Sequence, residues 1–213
     1  HQCLDKVLAM MDYEGLRRDQ AELRKKGIHR GIGLATLVEV TNPSPAFYGV
    51  GGARIASQDG CTLRLDPTGG VTWAIGVTEQ GQGTEAIIAQ VVATAVGVPI
   101  EKVKVITGDT DATPYGCGTW ASRGAGIGGE AALQSGKALR ANILAFAGIL
   151  LQANPEALDI RDGRVVDAAS GAERMPLGEL GRIAYFRGDT LPKGVQPELI
   201  VTRHYTQRSF PFI

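Results

Sequence analysis

The most informative stretch is Glu79-Gln80-Gly81-Gln82-Gly83-Thr84-Glu85, a glycine-rich turn between a predicted strand and a predicted helix. A second turn, Tyr115-Gly116-Cys117-Gly118-Thr119-Trp120-Ala121-Ser122-Arg123-Gly124, also precedes a predicted helix. Glycine lets the backbone approach a ligand closely, and a helix start presents unpaired N–H groups and partial positive charge. Together, the first turn (79–85) and the second turn (115–124) predict a site for a large, anionic, phosphate-bearing cofactor held mainly by main chain.

Net charge, apolar stretches and cysteine spacing indicate which kinds of partner, location and metal cluster the sequence favours. The net charge of the 213 residues is zero, which gives no indication of a nucleic-acid or acidic membrane partner. The longest apolar stretch, near Ile143–Leu151, is too short to span a bilayer. Cys3, Cys61 and Cys117 lack CxxC spacing, so we expect no iron–sulfur cluster on this chain and a cytoplasmic location.

The pattern of apolar residues predicts an α+β fold with mixed sheets and packed helices. The predicted helices are Leu4–Lys26, Thr84–Val96, Ser122–Ala153 and Leu177–Phe186. The predicted strands are Gly31–Val40, Arg54–Ser57, Cys61–Leu65, Val71–Val77, Val103–Thr107, Leu199–Tyr205 and a hairpin within Leu158–Val166. Gln58-Asp59-Gly60 and Asp66-Pro67-Thr68-Gly69-Gly70 are predicted turns.

Domain organisation is expected to be one domain, residues 1–213, or two lobes with a boundary near residues 66–70. The last residues, Phe210-Pro211-Phe212-Ile213, are an apolar run after a predicted strand. Exposed apolar edges favour association, so we expect the chain to continue beyond 213, as a fragment or a split subunit.

One alternative is a dinucleotide-binding Rossmann domain, because Gly81-Gln82-Gly83-Thr84-Glu85-Ala86 fits G-x-G-x-x-A and Asp109 follows downstream. The first strand of a Rossmann domain is continuously apolar, whereas Val71–Val77 alternates. Glu79 and Gln80 also separate the predicted strand from the first glycine. The Rossmann reading is therefore the less favoured one.

The polar side chains of both turns fit a neutral hydrogen-bonding site. Gln80 and Gln82 in the first turn, and Thr119 and Ser122 in the second, can donate to oxo, phosphate or pterin oxygens without adding charge. Asp109 and Asp111, by contrast, follow a predicted strand and are expected to shape a turn. The three histidines are isolated, and Cys117 is expected to be a packing thiol.

Several motifs occur in a specific order along the chain. They are the helix from Asp12-Tyr13 to Lys26, Gly31-Ile32-Gly33, Thr78-Glu79-Gln80-Gly81-Gln82-Gly83, Gly97-Val98-Pro99, Gly108-Asp109-Thr110-Asp111, Gly118-Thr119 with Ala121-Ser122-Arg123, and Ser209-Phe210-Pro211-Phe212. In these motifs the chain resembles the molybdenum-cofactor subunit of the xanthine dehydrogenase, aldehyde oxidase and carbon monoxide dehydrogenase family, most closely the bacterial carbon monoxide dehydrogenase-like large subunits. The resemblance covers essentially the whole chain.

The resemblance implies a role for each turn. Gln80, Gly81, Gln82 and Gly83 would approach the molybdenum and the pterin, and Gln82 would serve catalysis beside an oxo ligand, with no direct protein ligand to the metal. Residues of the second turn would bind the pterin and its phosphates: Thr119, Ala121, Ser122, Arg123 and Gly124. The implied cofactor is the molybdopterin cytosine dinucleotide, with a 2Fe-2S cluster and FAD on partner subunits.

The resemblance also implies an oxidoreductase that hydroxylates its substrate with water. The substrate stays open among an aldehyde, an N-heterocycle, a CoA thioester and carbon monoxide. An upstream glycine–phenylalanine–glycine loop and a downstream glycine–glutamate motif, which supplies the general base, fall outside the sequence. We therefore expect an incomplete cofactor-binding domain that is inactive alone. A non-catalytic scaffold that keeps the fold is the alternative from another class.

Overall fold

The computed structural model describes residues 2–37, 40–52, 54 and 56–208. The chain forms two compact units, His1–Val38 and Glu39–Ile213. Residues 66–70, where the sequence placed a lobe boundary, form a turn inside the second unit. Among the described residues, no helix is both long enough and apolar enough to cross a membrane.

The first unit contains helices α1 (Gln2–Met10) and α2 (Tyr13–Lys25). The prediction of a single helix over 4–26 is therefore wrong. Asp12 adopts a left-handed conformation, with φ 48°, and its carboxylate accepts a hydrogen bond of 3.1 Å from Gly15 N. This N-cap starts a new helix where the apolar pattern alone predicts continuity.

The strand predicted over 31–40 is also absent from the residues described there, 31–37 and 40; residues 38 and 39 lie outside the described part. A strand needs a hydrogen-bonded neighbour, and no described strand pairs with this segment. Gln20 Nε2 donates instead to Arg30 O at 2.7 Å, which fixes the chain just before it.

The second unit is built on a four-stranded sheet. Its strands are β1 (Gln58–Leu65), β2 (Val71–Ile75), β3 (Val103–Ile106) and β7 (Ile200–Thr206), in the order β3-β2-β1-β7. β1 runs antiparallel to β2 and β7, and β2 runs parallel to β3. A smaller antiparallel sheet contains β4 (Leu158–Arg161), β5 (Arg164–Asp167) and β6 (Glu173–Pro176).

The helices of this unit are α3 (Thr84–Val96), α4 (Gly129–Leu151) and α5 (Leu177–Phe186). α3 joins the parallel strands β2 and β3, as a crossover must. The core is filled by fully buried side chains from strands and helices, among them Leu63, Trp73, Ile88, Leu139 and Ile143. Burial of these side chains fixes the ends of β2 and α3, and with them the first turn.

The mixed sheets and packed helices confirm the α+β prediction. β1 is antiparallel to both of its neighbours, β2 and β7, which excludes a parallel doubly wound Rossmann sheet. Two local predictions are wrong. Gln58-Asp59-Gly60 is the start of β1 rather than a turn, and the strand predicted over 54–57 is absent from residues 54, 56 and 57, residue 55 lying outside the described part. β6 has no counterpart among the predicted strands.

Candidate functional site

The two glycine-rich turns meet at one cavity. Its volume is about 220 Å³, and its lining comes from the first turn, from the following helix α3 and from the second turn with the start of the next helix. The lining residues are Gln82, Thr84, Ile87, Ile88, Thr119, Ser122, Gly124 and Ala125. The distant segments that the sequence paired as one site therefore share a single surface.

Direct hydrogen bonds join the two turns. Thr78 N donates to Thr119 Oγ1 at 2.7 Å, and the same hydroxyl donates to Thr78 O at 2.7 Å. Gln80 Nε2 donates to Thr119 O at 3.0 Å. Thr119 thus uses its hydroxyl and its carbonyl to hold the second turn against the first, and its hydroxyl is engaged inside the protein.

The carboxylate of Glu79 occupies the peptide N–H groups of the first turn. Its carboxylate accepts hydrogen bonds from Gly81 N at 2.7 Å, Gly83 N at 2.9 Å and Glu85 N at 3.1 Å. These bonds, led by those from Glu85 and Gly83, hold the pKa of Glu79 below its ordinary value. The expectation of unpaired peptide N–H groups is therefore wrong for this turn, because a side chain of the turn already caps the start of α3.

The side chain of Gln82 is exposed and folds over its own turn. Gln82 Oε1 accepts from Gln80 N at 2.7 Å, and Gln82 Nε2 donates to Thr84 Oγ1 at 2.7 Å. Gln80 and Gly81 are exposed as well, whereas Gly83 is half-buried with φ 81°, a conformation that favours glycine. Gln82 Nε2 also donates to Thr78 O at 3.4 Å, so the amide lines the cavity while it is hydrogen-bonded within its own turn.

The second turn has an unusual backbone. Ala121 and Ser122 have φ values of 44° and 50°, in the left-handed region that non-glycine residues avoid. Each such residue costs on the order of 1–3 kcal/mol, and such strain is concentrated at functional sites. A π-helical turn, Gly124–Gly128, follows and leads into α4, so the predicted long helix begins with a widened turn at the cavity.

Arg123 lies in the interior and is not among the cavity-lining residues. Its side chain is 0% exposed, forms an ion pair of 2.9 Å with the equally buried Asp59, and donates to Gln58 O and Gly118 O. The guanidinium is therefore committed within the protein, and the implied contact of this side chain with phosphate finds no support in the arrangement.

A larger groove adjoins the cavity at Ala125. Its volume is about 530 Å³, and it runs between α3 and the start of α4, past Val91, Gly126 and Leu133. The cavity alone is below the roughly 300–1,000 Å³ of typical ligand sites, whereas the adjoining groove extends the space into that range. The cavity and the groove therefore lie side by side, with Ala125 lining both.

The lining fits a pterin-type cofactor because it is polar but carries no charged side chain. Gln82, Thr119 and Ser122 are its neutral polar residues, Ile87 and Ile88 form an apolar wall, and a helix start at Gly124 favours anionic groups. Within the described residues, no group of three or more His, Cys, Asp or Glu side chains is placed to hold a metal ion. The arrangement suits a ligand gripped by hydrogen bonds and packing.

The remaining candidates have local explanations. Asp109 Oδ1 accepts from Asp111 N at 2.9 Å and from Ala112 N at 3.2 Å, so it shapes its own turn. Burial raises the pKa of the Cys61 thiol to about 12, which keeps it protonated. Cys117 is a half-buried free thiol.

Comparisons with known proteins identify the family of this chain. A family model described as a molybdopterin cofactor-binding domain matches residues 6–212. The nicotine 6-hydroxylase large subunit of Paenarthrobacter nicotinovorans is 31% identical over 200 residues, covering 94% of this chain and 24% of that protein. The carbon monoxide dehydrogenase large chain of Hydrogenophaga pseudoflava is 31% identical over 219 aligned positions, covering 100% of this chain and 26% of that protein.

Solved structures of similar proteins also match this chain over most of its length. Quinoline 2-oxidoreductase from Pseudomonas putida 86 is 35% identical with a TM-score of 0.68, covering 96% of this chain and 26% of that one. A Cu,Mo-CO dehydrogenase is 27% identical with a TM-score of 0.65, covering 95% of this chain and 26% of that one. The chain thus spans about a quarter of the length of these relatives.

Proposed function

This chain belongs to the molybdopterin cofactor-binding domain family, and we propose that it supplies part of the cofactor site of a molybdenum hydroxylase. The observation that carries the proposal is the convergence of the two turns on one cavity, joined through Thr78, Gln80 and Thr119. The relatives are named as hydroxylases and dehydrogenases, which supports an oxidoreductase activity for the protein.

The residues of the two turns have different roles in this proposal. The exposed amide of Gln82 serves as a hydrogen-bond donor at the reacting end of the cofactor by exchanging its long bond of 3.4 Å to Thr78 O, with Gln80, Gly81 and Gly83 shaping the turn around it. Thr119 fixes the two turns together, and Ala121, Ser122 and Gly124 face the pterin and its phosphates. When bound, such a cofactor supplies two-electron redox chemistry at molybdenum.

The finer assignments follow from the same proposal. We propose the cytosine dinucleotide form of molybdopterin, for which the groove beside Ala125 offers room. The relatives are named as a large subunit and a large chain, which supports an assembly with other subunits. We propose that those partners carry the 2Fe-2S cluster and FAD, and that the protein works in the cytoplasm on a small-molecule substrate.

Metal and pterin analysis tests the proposal. The protein, purified in the assembly in which it occurs, is expected to contain molybdenum and to release a pterin in matching amounts on denaturation. An active preparation without molybdenum would overturn the proposal. Full loading with no redox turnover towards aldehydes, N-heterocycles, CoA thioesters or carbon monoxide would favour the non-catalytic scaffold.

A further inference from the structure

A buried ion pair lies behind the second turn. We propose that Asp59 and Arg123 are positioning residues that fix this turn for cofactor binding, with Arg123 acting through its backbone rather than by contacting the ligand. The inference rests on the proposed function. It assigns a role to two residues, one from a strand and one from the turn, that contribute no side chain to the cavity lining.

Hydrogen bonds tie the pair to three separate segments. Asp59 Oδ1 accepts from Gly60 N at 2.9 Å and from Gly76 N at 3.1 Å, which joins the start of β1 to the end of β2. Arg123 Nη2 donates to Gln58 O at 2.7 Å, and its Nη1 donates to Gly118 O in the second turn. The ion pair of 2.9 Å closes the link between sheet and turn.

Packing around the Asp59 carboxylate leaves no spare room. A Cβ atom added to Gly76 would lie 2.8 Å from Asp59 Oδ1, and one added to Gly116 would lie 2.8 Å from both carboxylate oxygens. Real Cβ atoms do not approach so closely. The glycines of β2's end and of the second turn therefore allow both segments to close on the carboxylate.

Arg123 connects the ion pair to the cavity through its neighbours in the chain. Arg123 lies between Ser122 and Gly124, both of which line the cavity. Anchoring its guanidinium beneath the turn therefore fixes the backbone of its neighbours. A buried ion pair contributes little net stability compared with an apolar pair of the same volume, so a role in fixing geometry accounts for this one better than stability does.

Cofactor content per folded chain tests the inference, using the protein purified in its native assembly. Asp59→Asn and Arg123→Met are each expected to lower content about tenfold, as loss of groups that support a binding shell does. The double variant is expected to be no worse than either single variant, because both remove one link. Arg123→Lys, which keeps the charge, is expected to recover part of the loss.

The matched control is Asp159→Asn, which breaks the part-buried ion pair between Asp159 and Arg140. We expect unchanged cofactor content there. Direct anion binding by Arg123 predicts the opposite result for Asp59→Asn, since the freed guanidinium would keep or raise the content. Unchanged or increased loading of Asp59→Asn would therefore overturn the inference.

A second variant covers the case in which removal of either charge prevents folding. Gly116→Ala leaves both charges in place but adds a methyl group 2.8 Å from the carboxylate oxygens of Asp59, which must then move. It is expected to lower molybdenum and pterin content in chains that remain folded by near-UV circular dichroism, and unchanged content would contradict the inference. Failure of the proposed function would give a different result, because the unaltered protein would then contain neither molybdenum nor pterin.

Discussion

Glu79 determines how the first turn presents its peptide groups. Its carboxylate caps three N–H groups at the start of α3, on residues 81, 83 and 85. The pKa of Glu79 in the folded protein lies below its ordinary value of 4.5. The stability that these hydrogen bonds contribute is therefore complete above about pH 4.5, and it is lost as the pH falls through the pKa of the folded state.

Glu79→Gln is therefore expected to lower the unfolding temperature at neutral pH, because an amide cannot cap these groups as a carboxylate does. The difference in unfolding temperature from the unaltered protein should shrink as the pH falls from about 4.5 through the lower pKa of Glu79 in the folded protein. Thermal unfolding of both proteins above and below about pH 4.5 measures this difference in unfolding temperature, with Glu101→Gln at an exposed position as the control. An equal difference at every pH would contradict the role of the charge.

Gln82→Ala is expected to reduce turnover or cofactor content while the fold persists. The exposed side chain contributes two short hydrogen bonds within its turn, so its loss should cost at most about 1–2 kcal/mol of unfolding free energy. Steady-state rates and molybdenum content, compared with the exposed control Gln196→Ala, measure the effect. Full loading with unchanged rates would contradict the role given to Gln82.

The residues of the site were predictable to different degrees. Gln80, Gln82, Thr119 and Ser122 stand in local motifs whose composition is visible in the sequence, and the structure brings their two turns together. The partner of Arg123 is not predictable from the sequence, because Asp59 lies in a distant strand and its own neighbourhood predicts a turn. The cap by Glu79 has a local signal, a carboxylate preceding a helix start.

At the scale of elements, α4 is the central helix of the second unit. The π-helical turn at the cavity leads into it, and α4 then continues to Leu151, burying Leu139 and Ile143 in the core. Its core contacts therefore determine how firmly the cavity wall is held.

Leu139→Ala is expected to lower the free energy of unfolding by about 2–5 kcal/mol, because it leaves a cavity in a fully buried site. Lys137→Ala, on the exposed face of the same helix, is expected to change it by less than about 0.5 kcal/mol. Urea unfolding of both variants measures the difference. Similar small losses in both would show that α4 is not packed as described.

Helices were predicted better than strands, for a physical reason. α3 and α5 begin and end at the predicted residues, because helix periodicity and end signals are local. The start of β1 forms by pairing Gln58–Gly60 with β7, a partner far along the chain. The break at Asp12 between α1 and α2 depends on one side-chain cap, which periodicity does not reveal.

At the scale of the whole molecule, the sequence predicted the α+β class and the family, since strands and helices alternate and several motifs occur in order. It did not predict the division between His1–Val38 and Glu39–Ile213, which depends on contacts rather than on composition. We propose that both turns enclose one cofactor at the cavity that they share. The chain spans about a quarter of its relatives' length.

The most direct test is an anomalous-scattering map at the molybdenum edge, from crystals of the protein as it is isolated. We expect a molybdenum peak within hydrogen-bonding reach of the Gln82 side chain, with density for the pterin extending between the two turns toward Ser122. A molybdenum peak remote from this cavity would contradict the account.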